Sequence, residues 1–201
     1  MKRLRQKLAS PILWERLLYT GMVYIVLFHA LMIFSYFLLP EGFLKNKNPL
    51  QNWNPSGNAF LTSLQIFFYN LISVLMIVIG SLFASKKEKH SYYFSTGYIV
   101  FFTLISINAV VLGTWSFSLA GEAVPLLDRI GGIYHLAHRA AVWEMAGQLL
   151  ITCAMANVAV VRTSGKNTVV RKLRDMDWQL LFRQNYSEQE ITFTTVLILL
   201  T

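Results

Sequence analysis

Charge, cysteine and proline are all scarce in this chain of 201 residues. Charged residues make up 14%, there are five prolines, and the one cysteine is Cys153. A single cysteine excludes an intrachain disulfide framework. Scarce charge set against 55% apolar residues excludes an intrinsically disordered chain. A mean hydropathy of +0.47 is also more than one soluble core of this length can hide. Several catalytic signatures are missing as well. There is no G-x-x-x-x-G-K-[ST], so ATP hydrolysis would have to come from another chain. There is no G-x-S-x-G nucleophile elbow and no H-E-x-x-H zinc helix.

What the chain does have is long apolar runs. A bilayer core of ~30 Å needs about 20 apolar helical residues. Four stretches meet that length: Leu17 to Leu39, Phe60 to Ala84, Tyr98 to Leu119 and Ala140 to Val161. The first follows a basic start but is longer than a signal-peptide core and has no small-residue cleavage site, so it reads as a permanent span. A fifth stretch, Ile191 to Thr201, would rise only ~16 Å as a helix and reads as a short or partial span. The expected fold is therefore an all-α, polytopic membrane helix bundle. It divides into a basic N-terminal segment (1–16), a four-helix transmembrane domain (17–161), an amphipathic helix (162–190) and the short apolar end (191–201).

Charge sets the orientation. Of the 18 Lys and Arg, five precede the first span, three lie between the second and third, and six follow the fourth. The two remaining loops hold two each. The positive-inside rule then places the N-terminus, the loop around Lys86, Lys87 and Lys89, and the tail in the cytoplasm of a multi-pass cell-membrane protein. Topology and anionic headgroups account for the net charge of +8 without a nucleic-acid partner.

Polar residues inside the spans must find partners. Asn70 and Ser73 lie one turn apart on the second span. Thr103, Ser106, Ala109, Gly113 and Ser116 line one face of the third, which also holds Asn108, and the step from Ala109 to Gly113 lets another helix approach closely. Glu144, Gln148 and Thr152 form a polar stripe on the fourth, with Asn157 beyond it. Two roles are open for this set: interhelical hydrogen bonding, or the wall of a polar substrate path. For Glu144 the structural options are an arginine from elsewhere, such as Arg129, or a hydrogen bond to an asparagine. The functional option is a proton acceptor or a contact for a cationic peptide.

Candidate catalytic groups are Glu144, His138 and His135. The two histidines are three apart, but two ligands are too few for zinc, so no metal is expected and no cofactor either. Leu126 to Tyr134 has helical spacing, with a break expected at Gly131 and Gly132. In the tail, Val169, Leu173, Met176 and Leu180 form one apolar stripe over Thr168 to Arg183, opposite Arg171, Lys172, Arg174 and Asp175. That stripe would lie on the inner leaflet or dock a cytoplasmic partner.

Two regions together, Asn70 to Gly80 and Gly97 to Arg162, resemble a known family. Phe60, Asn70 and Gly80 mark one span and a basic turn follows. Gly113 lies inside the next span, and a last span opens with His138 and Glu144 and leaves through Arg162. This pattern resembles the stage II sporulation protein M family, small members of which stand beside an ATP-binding-cassette ATPase in circular-bacteriocin gene clusters. The resemblance implies a non-catalytic membrane subunit. It would act with an ATPase and other membrane subunits in the maturation or export of, or immunity to, an apolar peptide. The alternatives are an intramembrane peptidase or peptide cyclase using Glu144 with His135 or His138, and a membrane scaffold without a substrate.

Overall fold

A computed structural model describes residues 2–45, 47, 59–86, 92–116, 123–136, 141–164 and 167–170. The described chain is mostly helical: α1 (Lys2–Leu8), α2 (Leu13–Leu38), α3 (Ala59–Ser81), α4 (Gly97–Gly113), α5 (Leu126–Leu136) and α6 (Ala141–Met155). Four short strands join them: β1 (Phe83–Lys86), β2 (Phe94–Ser95), β3 (Val161–Ser164) and β4 (Asn167–Val170). Of the helices, α2 and α3 are long and apolar enough to cross a membrane. At 17 and 15 residues, α4 and α6 are shorter than the expected spans.

Local chemistry sets several boundaries. Pro11 disfavours helix at the residue before it, so α1 stops and α2 starts afresh at Leu13. Pro40 does the same at the other end, where Leu39 is extended (φ −111°, ψ 147°). The chain then turns at Gly42, whose φ of +70° favours glycine. The Gly42 N–H donates to the Thr114 carbonyl at 2.7 Å and the Leu44 N–H to the Ser116 hydroxyl at 3.0 Å, so this turn is fastened over the end of α4.

The helix ends sort into two groups. At the basal end lie α1, the start of α2, the end of α3, the start of α4 and the end of α6. Tyr98 donates to the Leu8 carbonyl at 2.8 Å there, and the Val160 and Val161 N–H groups both donate to the Leu82 carbonyl at 2.9 Å. At the apical end, the turn after α2 meets the end of α4, and α5 docks beside them. The core between them is built from Phe28 and Met32 of α2, Ile77 of α3, Phe101, Ile105 and Ala109 of α4, and Ile151 of α6. A second cluster closes the basal end, with Leu8, Leu13, Tyr98, Leu150, Cys153 and Ala156.

The four strands form one sheet in the order β2-β1-β3-β4. The central pair, β1 and β3, is parallel, with Ala84 opposite Arg162, and both outer pairs are antiparallel. This sheet corrects the all-α expectation. The fourth segment does not stay helical to Val161, because α6 ends at Met155 and the β-branched run from Val160 to Thr163 pairs with β1. The third segment ends at Gly113, short of Leu119. No tail helix begins at Thr168, since Thr168 to Val170 belong to β4 and pair back onto β3. Leu173, Met176 and Leu180, and the end segment 191–201, lie outside the described residues.

Candidate functional site

The polar stripe of α6 faces the bundle. Gln148 and Thr152 are buried, and the Thr152 hydroxyl donates to the Gln148 carbonyl one turn back at 2.7 Å. The Gln148 side-chain amide lies 3.4 Å from the Glu144 carboxyl. Asn70 of α3 also hydrogen-bonds that carboxyl. Glu144 is thus half-buried beside two amides, and Arg129 is not its partner.

Arg129, the arginine considered for Glu144, is used elsewhere. It is 2% exposed, and its Nη1 donates to the carbonyl of Gly113, the last residue of α4. Its Nε donates to the Val124 carbonyl at 2.6 Å and its Nη2 to Glu41 at 3.2 Å. The guanidinium lies between aromatic faces, 4.7 Å from Tyr36 and 5.3 Å from Trp115. Arg129 therefore caps the negative end of α4 and ties α5 to it.

Arg16 performs the same task at the basal end. It is completely buried, with its Nε donating to the Cys153 carbonyl in the last turn of α6 at 2.9 Å and its Nη1 to the Ser10 carbonyl at 2.5 Å. Cys153 is buried there beside Thr20, at 3.4 Å between sulfur and hydroxyl. Nearby, the Lys7 ammonium donates to Glu15 at 2.8 Å, which raises Lys7 above the usual lysine range. Both partners are exposed, so this bridge adds little stability.

Gly113 is the closest point between α2 and α4. A Cβ there would overlap the Ser35 hydroxyl and the Met32 carbonyl. Just beyond it, Trp115 has a φ of +51°, a left-handed conformation rare in so bulky a residue. The bonds from Ser116 N–H to Val111 O at 2.8 Å and from Trp115 N–H to Leu112 O at 3.3 Å complete a Schellman stop with tryptophan where glycine is usual.

The other expected positions are dispersed. Ser73 is half-buried on α3. Asn108 is exposed on α4, because the packed face is carried by Ala109 and the next residue back points about 100° away. Thr103 is exposed too and does not share the face of Gly113. Asn157 is not inside a span, since it lies in the turn after α6. His135 belongs to α5, which runs through Gly131 and Gly132 without the expected break. Each glycine costs a helix only ~1 kcal/mol, and Arg129 anchors this one. His138 lies outside the described residues. Among the described residues no three of His, Cys, Asp and Glu gather as a metal cluster.

Sequence reasoning missed both buried arginines. Arg16 was counted only as a charge ahead of the first span. The available signal was weak: a basic residue beside an apolar run, whose use depends on which helix end lies opposite. Compared with protein-family models, curated proteins and solved structures, the chain has no match.

Proposed function

We propose that this is a multi-pass membrane protein in which α2, α3, α4 and α6 cross the bilayer with the basal end in the cytoplasm. It would serve as a non-catalytic subunit working with an ATP-binding-cassette ATPase on an apolar peptide such as a circular bacteriocin. The observation that carries the subunit reading is Asn108. It is exposed, about 8 Å inside the apical end of α4, and an amide at that depth calls for a hydrogen-bonding partner from another chain. The bilayer reading draws support from the outward faces of α2 and α3, where Leu18, Ile25, Val26, Phe34, Phe68, Leu75 and Ile79 are all exposed. At about 25 and 22 Å, α4 and α6 suit a locally thinned bilayer. The ATPase and the peptide rest on the resemblance to the stage II sporulation protein M family.

Two experiments test this. In a Cys153→Ala background, a cysteine at Asn52 should label from outside intact cells and one at Lys87 only after permeabilisation. The reverse pattern overturns the orientation. Purification in mild detergent should bring down a nucleotide-binding partner, which Leu173→Glu with Leu180→Glu releases while the helices stay inserted. A partner retained at wild-type yield removes the tail as its dock.

The second reading, an intramembrane peptidase or cyclase using Glu144 with His135 or His138, has one observation in its favour: the carboxyl sits inside the bundle between two amides.

A further inference from the structure

The turn after α2 overhangs the outward face of α4 and leaves an open groove of ≈ 650 Å³. It is lined by Phe102, Thr103, Ser106 and Val110 of α4 and by Phe43 and Leu44 of the turn. The two hydroxyls in it are turned back on their own helix, with Thr103 donating to the Ile99 carbonyl at 2.8 Å and Ser106 to the Phe102 carbonyl at 2.7 Å. Both hydroxyl protons are therefore spent within α4, and neither is offered to an occupant. From Ile99 to Val110 the groove runs about 16 Å along α4, room for an extended alkyl chain.

Its apical mouth is cationic. The Lys47 ammonium lies 4.5 Å above the ring of Phe43, and Phe43 itself lines the groove. Lys45 is exposed in the same turn. The one acid of that turn, Glu41, is engaged by Arg129. A long apolar slot with two cations at its apical mouth matches a single amphiphile: an alkyl chain below and an anionic head above.

We propose that this groove holds an acyl chain of an anionic phospholipid of the outer leaflet, with its phosphate at Lys45 and Lys47. This rests on the membrane reading above. The slot, with its hydroxyl protons spent, favours a hydrocarbon chain over a peptide backbone, whose carbonyls would find no side-chain donor among the lining residues. Lysines near a headgroup surface supply the preference for negative charge.

Native mass spectrometry of the detergent-purified full chain tests it, with phosphatidylglycerol and phosphatidylcholine of identical chains added in turn. The expected result is one tightly held phosphatidylglycerol per chain. Its preference over phosphatidylcholine should fall on the order of tenfold in Lys45→Gln with Lys47→Gln. Val110→Trp, which fills the groove, should abolish the tight adduct for both lipids, whereas Ile79→Trp on α3 should not. If Val110→Trp does not elute as a folded species, Ser106→Leu takes its place. Equal retention of both lipids, unaffected by Val110→Trp, overturns the proposal. So does a second copy of the chain, or a partner helix, lost in Val110→Trp in place of lipid. Carbonate extraction of membranes separates the two levels. Release of the chain overturns the membrane reading itself, and a chain that stays behind without lipid preference overturns only the groove.

Discussion

Arg16 and Arg129 are the same device at opposite ends of one bundle. Each is buried, and each donates to a backbone carbonyl in the last turn of a helix other than its own, Cys153 in α6 and Gly113 in α4. Each thereby places positive charge at a negative helix end and gives a last-turn carbonyl a charged donor. Both also hold a segment lying across a helix end: Arg16 reaches the Ser10 linker and Arg129 carries α5.

Replacing either by methionine should therefore lower the unfolding free energy in detergent by about 2–4 kcal/mol, because a charge-assisted hydrogen bond is lost and a buried acceptor left open. The two sites share no partner, so the double variant should lose the sum. Thermal and chemical unfolding of the four proteins checks this. A marked departure from additivity would mean that the ends communicate through α4 or α6.

Gly113→Ala should cost about 1–3 kcal/mol by overpacking. Adding Ser35→Ala should recover only part of that, because the Met32 backbone carbonyl still occupies the space. Unfolding midpoints of the single and double variants decide it. Full recovery would show that the serine hydroxyl is the whole obstacle.

Trp115 separates backbone from side chain. Trp115→Ala and Trp115→Gly both remove the ring beside Arg129. Only alanine keeps a Cβ at the φ of +51°, so the glycine variant should be the more stable by roughly 1 kcal/mol. Equal stability would show that the turn relaxes once the ring is gone.

Glu144→Gln keeps the shape and most of the hydrogen-bonding capacity that Asn70 and Gln148 meet. Folding and assembly should change by less than about 1 kcal/mol. An assay of peptide processing then discriminates. Activity retained in the variant fits a structural carboxyl, and activity abolished with assembly intact moves the function to intramembrane catalysis.

Much of the helical layout was legible in the residues. The long apolar runs of α2 and α3 stand out by length, and prolines at 11 and 40 mark where α2 starts and stops. The small pair Ala109 and Gly113 signalled close approach but not the partner, which turned out to be Met32 and Ser35. The sheet was hidden because Val158 to Val161 continues an apolar run, and a short apolar run has no periodicity that separates strand from helix. The clue was β-branching in Val160, Val161 and Thr163, with Asn157 as a helix stop. The caps were hidden for a different reason. An arginine's partner carbonyl belongs to a residue far along the chain, 137 positions away for Arg16 and Cys153, and any residue type carries that atom.

The parallel pairing of β1 with β3 has a mechanical consequence. The strands continue from α3 and α6, so their ladder fixes the height of one helix against the other. A strand can re-register only by whole residues, and a one-residue slip turns every side chain to the wrong face. Axial sliding between α3 and α6 is thus quantised in jumps of about 6.6 Å, two strand residues. Separating the basal ends of these helices would break this ladder.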